Sequence, residues 1–337
     1  MIIQKGSVRI DLLGGTLDLE PINLIIPNVV TINAALDLKA VVKIEDTQNQ
    51  DGVEIISQDY QLAKTISKQQ LESKQLNSDQ LGALYFLAVL IAELKLYSGV
   101  KITLSSDAPA GSGLGGSSTI GVTLVEALLQ HQGRSFSKQE IVSLVRGVEG
   151  KILDCGPAGH QDYYPALYGG VLALNPTPGE LQVEQLYTPQ LKKVLESSLT
   201  LVYSGASRLS GINNWEVYKS FFDHDFNVRQ GLGKIADLAH QAKIAIKSEQ
   251  FNQLINLIAQ EGEVRKELFP NILTPQMKEL HQKISLTYPS CGIKVCGAGG
   301  GGCFLLTHPP KEAFAIREII QQDKMEQLDL TIGPPIS

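Results

Sequence analysis

The sequence is poor in cysteine and aromatic residues and has no long apolar run. Its 337 residues include 4 cysteines and one tryptophan, and aromatic residues make up 6% of the chain. No run of about 18 apolar residues occurs, so we expect no transmembrane helix. The first residues, MIIQKGSVRIDLLGG, lack the basic and apolar segments of a signal peptide and are typical of a folded strand.

The cysteine spacing argues against a disulfide scaffold and against a zinc site. Cys155, Cys291, Cys296 and Cys303 form no C-x-x-C pair. A chain of this length can bury enough apolar surface without covalent staples. We therefore expect reduced, mostly buried thiols in a cytoplasmic protein.

The charge balance is slightly acidic and has no basic block. The chain has 29 Lys and Arg against 35 Asp and Glu, a formal net charge of -6. Nucleic acid and anionic membrane surfaces are therefore not expected as partners, and a polyanionic ligand would need local positive groups. The length and the 43% hydrophobic content favour two domains of ordinary size.

The apolar patterns predict an α+β chain divided near Pro176. The first half starts with β-rich runs at 2–13, 24–44 and 53–57, continues with helices at 77–96 and 137–153, and has a short strand at 100–104. The second half is helical over 213–268, has two β-rich runs within 292–307, and ends with a helix near 311–322 and a strand near 328–332. Because Pro176, Pro178 and Gly179 punctuate the chain, we expect domains at 1–176 and 177–337.

A glycine-rich segment, SSDAPAGSGLGGSS, lies between the strand at 100–104 and a helix. Backbone N–H groups at a helix start are unpaired, so glycines that let a phosphate approach them make an anion site. The spacing of Gly111, Gly113 and Gly116 also satisfies G-x-G-x-x-G, but no second strand follows at the distance a dinucleotide fold requires. No Walker lysine follows the glycines, and a plain flexible loop remains an alternative.

Three segments resemble the motifs of one superfamily. PAGSGLGGSST resembles the phosphate loop of the galactokinase, homoserine kinase, mevalonate kinase and phosphomevalonate kinase (GHMP) superfamily. RIDLLGGTLDLE resembles its first motif and KVCGAGGGGCFLL its third, in the same order along the chain. The resemblance implies an N-terminal domain like domain 2 of ribosomal protein S5, a ferredoxin-like C-terminal domain, and transfer of phosphate from ATP to a small molecule.

The resemblance also implies a set of site residues. Asp162 would orient or deprotonate the acceptor hydroxyl, and Arg9 would stabilise the transferred phosphate; a turn aspartate and a surface arginine are the plain alternatives. Magnesium would be held by Ser117 or Ser118 and by Glu149, although such serines also cap helices. The residues implied for ATP are Pro109, Gly111, Ser112, Gly113, Leu114, Gly115, Gly116, Ser117 and Ser118. Those implied for the acceptor are Gly14, Gly15, Thr16, Asp18, His160, Gln161 and Arg208.

The first motif departs from galactokinases, which have a Glu-His pair where this chain has Gly15-Thr16. The motif is closer to the heptose 7-phosphate kinase branch, which the stretch YSGASRLSGINNWE also resembles. There Arg208 would meet a distal substrate phosphate, and a surface ion pair is its alternative role. We therefore expect a sugar or sugar phosphate as acceptor. A mevalonate-like acceptor, a regulator without turnover, and a homodimer all stay open as alternatives.

Overall fold

The computed structural model describes residues 1–153, 158–206 and 214–336, and it contains two β-sheets with helices packed on them. Among the described residues, the first sheet has seven strands in the order β4-β3-β5-β2-β6-β7, with β1 paired to β2. Its strands are β1 (Ile2–Leu13), β2 (Thr31–Asp46), β3 (Gly52–Ser57), β4 (Leu62–Ser67), β5 (Val100–Ser106), β6 (Val171–Thr177) and β7 (Glu180–Gln185). Only β3 and β5 pair in parallel.

The second sheet is antiparallel and has the strand order of a ferredoxin-like fold. Its strands are β8 (Leu199–Tyr203), β9 (Gly292–Val295), β10 (Cys303–Thr307) and β11 (Glu326–Leu328). Their order is β11-β8-β10-β9, and helices connect β8 to β9 and β10 to β11. The chain therefore runs β-α-β-β-α-β through this sheet, which agrees with the expected plait.

Helices lie in both halves of the described chain, and those at 138–153 and 313–322 begin and end close to the predicted positions. Those of the first half are α1 (Ile22–Ile25), α2 (Lys68–Ser73), α3 (Ser78–Leu81), α4 (Tyr85–Glu93), α5 (Gly116–His131), α6 (Lys138–Leu153) and α7 (Tyr164–Tyr168). Those of the second half are α8 (Pro189–Ser198), α9 (Asn214–Phe222), α10 (Phe226–Lys247), α11 (Phe251–Leu268), α12 (Pro275–Thr287) and α13 (Ala313–Gln322). Single 3₁₀ turns occupy Gly82–Leu84 and Pro310–Glu312.

Two helix predictions show how local chemistry determines where a helix begins or ends. The start of α6 is a capping box, in which the Ser137 and Glu140 side chains accept each other's backbone N–H at 3.2 and 2.7 Å. The predicted continuous helix at 77–96 is wrong. Gly82 adopts a φ of +52°, which ends α3 and separates it from α4.

The predicted boundary after Pro176 is also wrong, because it falls within a β-hairpin. Residues on both sides of it pair with each other, as Asn175 does with Gln182, and β6 and β7 both belong to the first sheet. The two prolines and Gly179 therefore form an edge hairpin. Ile332 returns to this sheet and bridges to Leu36. We propose that the first unit extends to Gln185 and includes this returning segment.

The two units share a buried core. A cluster of fully buried side chains joins Val8 and Ile10 of β1 to Leu201 of β8 and Leu305 of β10. Burial of each such side chain contributes about 1.5–3 kcal/mol. The shared core holds the two units against each other, so a cleft between them has fixed walls. None of the described helices is both long and apolar enough to cross a bilayer.

Gly262 provides a test of how α11 packs on the second sheet. A Cβ atom here would overlap the carbonyl oxygen of Ile293 in β9. We expect Gly262→Ala to lower the free energy of unfolding by about 1–3 kcal/mol, measured by denaturant titration. Gly233→Ala in α10, where a Cβ meets nothing within 4 Å, should instead be neutral or stabilising by up to about 1 kcal/mol. Equal unfolding midpoints for the two variants would contradict this packing.

Candidate active site

The described residues form a cleft of about 330 Å³ between the two units. Eight of the nine residues implied for ATP line it, namely Pro109, Gly111, Ser112, Gly113, Gly115, Gly116, Ser117 and Ser118. Leu114 is instead fully buried, and its carbonyl oxygen accepts the backbone N–H of Arg9 at 3.0 Å. The glycine loop is therefore one wall of the cleft, anchored to β1 through Leu114.

The conformation of this loop requires glycine. Gly111, Gly113 and Gly115 have φ values of +72°, +74° and +75°, in the left-handed region. The last of them precedes α5, whose first turn has no side-chain cap. Backbone amides and the positive end of a 16-residue helix dipole therefore lie beside the cleft, which is the environment that a phosphate group prefers.

The backbone of the third motif packs closely against the glycine loop. The N–H of Cys303 donates to the carbonyl oxygen of Ser112 at 2.6 Å. A Cβ on Gly297 would lie 2.9 Å from the carbonyl oxygen of Gly113, and a Cβ on Gly302 would lie 2.6 Å from that of Ser112. These approaches leave no room for a side chain, so the C-terminal glycines shape the phosphate loop.

Arg9 and Asp162, predicted from distant motifs, form an ion pair at the loop. The Nε and Nη2 atoms of Arg9 donate to Oδ1 of Asp162 at 2.8 and 2.5 Å. Its Nη1 donates to the carbonyl oxygens of Gly113 and Cys296 at 2.8 and 2.7 Å. Burial lowers the pKa of Arg9, but the charges of Asp162 and Asp11 and the hydrogen bond to Asp162 together outweigh this effect and raise the pKa above its ordinary value. Arg9, which belongs to the first motif, is therefore a fixed cation that contacts the glycine loop, Asp162 and the third motif.

Ser118, Glu149 and Tyr163 form a hydrogen-bonded group on the other side of the loop. Oε2 of Glu149 accepts the Ser118 hydroxyl at 2.8 Å and the Tyr163 hydroxyl at 2.7 Å. Burial raises the pKa of Glu149, and the two hydrogen bonds oppose this rise.

The oxygen atoms of this group fit magnesium. Mg²⁺ prefers oxygen ligands and keeps much of its water, so one hydroxyl and one carboxylate beside a phosphate site are sufficient protein ligands. Ser118 bonds Glu149 directly, which favours it over Ser117 as the ligand. The described part of the chain has no group of three or more His, Cys, Asp or Glu side chains that could hold a metal by themselves.

Three of the residues implied for the acceptor also line the cleft: Thr16, Asp18 and Gln161. Oδ2 of Asp18 accepts the backbone N–H of Gln161 at 2.9 Å, and burial raises the Asp18 pKa to about 6. The side-chain oxygen of Gln161 is buried and has no hydrogen-bond partner among the described residues. Thr16 has a φ of +77°, which is strained for a β-branched residue and is typical of a functional turn.

Gly14, Gly15 and His160 do not line the cleft. The N–H of Gly14 donates to Glu261 at 2.7 Å, and a side chain on Gly15 would overlap the Asp11 carboxylate. The His160 ring faces Glu20, with Nε2 and Oε1 3.2 Å apart. These residues therefore hold the first motif in place through contacts that lie outside the cleft. Arg208, implied for a distal phosphate, lies outside the described residues.

A buried cluster of four charges, which the sequence analysis missed, lies behind the first motif. Nζ of Lys294 is 2.8 Å from Oδ2 of Asp11 and 3.3 Å from Oε1 of Glu261. Nη1 of Arg265 donates to the same Asp11 oxygen at 3.0 Å, and its Nη2 donates to the carbonyl oxygen of Gly297 at 2.8 Å. Burial raises the Asp11 pKa, but the two cations outweigh it and lower the pKa below its ordinary value.

The members of this cluster carried weak signals in the sequence. Lys294 stands between apolar residues in GIKVCG, a run in which a solvated lysine would be unusual. Glu261 and Arg265 are four residues apart and so share a helix face. Arg265 also lines the cleft, which makes it part of the site and of its support.

Replacement of Lys294 tests how much the buried cluster contributes to the free energy of unfolding. Lys294→Met keeps the volume but leaves two buried carboxylates with less positive charge, so the free energy of unfolding should fall by about 3–5 kcal/mol. Lys64→Met, on the exposed face of β4, is the control and should change it by less than about 0.5 kcal/mol. Thermal or denaturant unfolding measures both values. A Lys294 variant as stable as this control would show that the cluster does not stabilise the fold.

Comparison with known proteins identifies the family. Residues 82–170, which include the glycine loop and Asp162, match the family described as GHMP kinases N terminal domain. This part of the chain therefore has a GHMP kinase N-terminal domain. GHMP kinases use ATP as the phosphate donor, and the relatives and structural neighbours of this chain are small-molecule kinases.

The curated relatives of this chain are named for different acceptors. The bifunctional fucokinase/GDP-fucose pyrophosphorylase of Arabidopsis thaliana is 27% identical over 94% of this chain and 30% of its own length. The mevalonate kinase of Methanocaldococcus jannaschii is 25% identical over 87% of this chain and 89% of its own. The chain spans about a third of the length of the first two curated relatives it matches.

The solved structures confirm the predicted α+β, two-domain fold. The D-glycero-D-manno-heptose 1-phosphate kinase of Bacteroides thetaiotaomicron superposes with a TM-score of 0.72 over 99% of this chain and 97% of its own, at 22% identity. At this identity, the likeness concerns the fold, and the acceptor has to be argued from the residues of the cleft.

Proposed function

We propose that this GHMP kinase transfers the γ-phosphate of ATP to a hydroxyl, anomeric in our hypothesis, of a sugar or sugar phosphate such as a heptose 7-phosphate. The observation that supports this most directly is the Arg9–Asp162 pair beside the glycine loop. A carboxylate, a fixed cation and phosphate-binding amides within one cleft are the groups that phosphoryl transfer to a hydroxyl requires.

Asp162 and Arg9 have complementary roles in this proposal. Both Arg9 donors to this carboxylate bind its Oδ1 atom, so Arg9 does not compete for Oδ2. Oδ2 of Asp162 would accept the hydrogen bond from the acceptor hydroxyl and then its proton. The Arg9 guanidinium stabilises the negative charge that develops on the transferred group, because its own hydrogen bonds to Gly113 and Cys296 fix it in place.

The glycine loop and the Ser118–Glu149 pair would bind the nucleotide. The amides at the start of α5 contact phosphate oxygens, and Ser118 and Glu149 hold magnesium on them. When bound, Mg²⁺ neutralises charge on the β- and γ-phosphates. The regulator without turnover is disfavoured, because nucleotide binding alone does not need Asp162 and Arg9 in contact beside this loop.

The cleft residues implied for the acceptor substrate favour a ligand rich in hydroxyl groups. Asp18 contributes a carboxylate, and Gln161 contributes a buried side-chain oxygen to which no residue in the described part of the chain donates. Both accept hydrogen bonds, and sugar hydroxyls donate them. The fucokinase relative agrees with this chemistry, and in our proposal Arg208 would meet a distal phosphate. A mevalonate-type acceptor is the second candidate, favoured by the match to a mevalonate kinase over most of both chains.

Replacement of Asp162 tests the proposed chemistry. Asp162→Asn keeps the size of the side chain but cannot take the hydroxyl proton, so we expect turnover to fall about 10²–10⁴-fold while ATP still binds. ADP release is measured against hexoses, heptoses, their phosphates and mevalonate, and ATP binding by calorimetry. Asp237→Asn, an exposed position on α10, is the matched control and should keep full activity. Full turnover in the Asp162 variant would refute the proposal.

Asp18 gives a prediction about pH. Since its pKa is raised to about 6, Asp18 is ionised above that pH and accepts hydroxyl hydrogen bonds best there. As the pH falls through about 6, the carboxyl becomes protonated, and we expect the KM for the acceptor to rise. In Asp18→Asn this rise should be absent, and the KM should be high at every pH. An unchanged acid limb in that variant would assign the titration to another group.

A further inference from the structure

Tyr163 is a buried tyrosine that the chemistry above leaves without a role. It follows Asp162 directly and is 1% exposed. Buried tyrosines usually find a partner for the hydroxyl group, so a hydrogen bond alone does not indicate function. The informative feature is the acceptor of this hydrogen bond: the Tyr163 hydroxyl group donates to Oε2 of Glu149 at 2.7 Å.

The same carboxylate oxygen also accepts the hydroxyl of Ser118, at 2.8 Å. A carboxylate oxygen has about two lone-pair sites, so these two donors occupy Oε2 of Glu149. Oε1 is then the oxygen with capacity for a cation. The two hydrogen bonds therefore select which oxygen of Glu149 is available to a metal ion.

Ser118 cannot select the oxygen of Glu149 independently of the metal. Its own hydroxyl oxygen is the other proposed ligand, so its orientation changes with the ion. The Tyr163 ring belongs to the buried core of the first unit, so packing fixes its hydroxyl group whether or not a ligand is bound. Tyr163 is thus the donor to Glu149 that lies outside the proposed ligand set.

We propose, on the basis of the kinase function above, that Tyr163 is a positioning residue for magnesium. Its hydroxyl group holds Oε2 of Glu149 so that Oε1 faces the ion on the nucleotide phosphates. Because Tyr163 is adjacent to Asp162, a single turn of chain positions the proposed proton acceptor and orients the proposed metal ligand.

The test measures how much magnesium strengthens ATP binding in the absence of acceptor. The Kd of ATP is determined by calorimetry with Mg²⁺ and with a chelator, and the ratio of the two values is the magnesium contribution. Tyr163→Phe removes a single hydroxyl group. We expect it to reduce the magnesium contribution about 10-fold and to leave the Kd without magnesium unchanged, since groups that orient metal ligands typically affect metal affinity by 10–100-fold.

Two further variants make the result specific. Tyr164→Phe removes a hydroxyl group from the next residue, whose ring packs near Tyr168 with centroids 6.0 Å apart, and it should keep the full magnesium contribution. Glu149→Ala should lose the contribution, and adding Tyr163→Phe to it should cause no further loss, because both changes act on one interaction.

The outcomes separate this inference from the proposed function. A magnesium contribution in Tyr163→Phe equal to that of the unmodified protein would overturn the inference and identify Tyr163 as a core residue. An unmodified protein that binds no ATP would overturn the kinase function itself. The Kd without magnesium reports whether each variant is folded. If Tyr163→Phe disturbs the fold, Tyr163→Met takes its place in the test. Methionine also lacks a hydroxyl donor, and its flexible side chain can fill the space of the ring, so we expect the same reduction in the magnesium contribution.

Discussion

The site depends on a buried charge interaction between the two ends of the chain. Asp11 in the first strand is neutralised by Lys294 and Arg265, which are 283 and 254 residues away in the sequence. Removal of one partner from such a cluster typically costs about 3–5 kcal/mol, because a charge is left buried without compensation. The ion pairs are therefore formed only when the two units are correctly joined, and the first and third motifs then meet at one cleft.

The residues of the site that could be predicted belong to local motifs. The glycine loop, Arg9 and Asp162 lie in short segments whose residue types indicate their chemistry, and the structure brings them into contact. The glycines after Cys296 belong to such a motif too, and in the structure they approach that loop so closely that a side chain would not fit. The order of strands and helices was also predictable from hydrophobic period and turn residues, since these are local properties.

The features that were missed depend on tertiary contacts. Glu261 carried only the weak signal of its spacing from Arg265, because its partner Lys294 is on another element. His160 and Gly15 lie within motifs that contribute other residues to the cleft, and adjacency in sequence does not determine which side chain faces it. The boundary near Pro176 failed for a similar reason. Proline and glycine indicate a turn, but whether a turn separates domains or joins two strands depends on what the strands pair with.

The backbone contact between Gly297 and the phosphate loop has a consequence for divergence within the superfamily. Residues nearly two hundred positions apart share one steric constraint, so neither segment can change its shape alone. Other side chains that line the cleft can vary independently, whereas the glycine loop and the segment around Gly297 have to change as a matched pair. Hybrid chains made from halves of two relatives would keep nucleotide affinity only where both loops have the same backbone path.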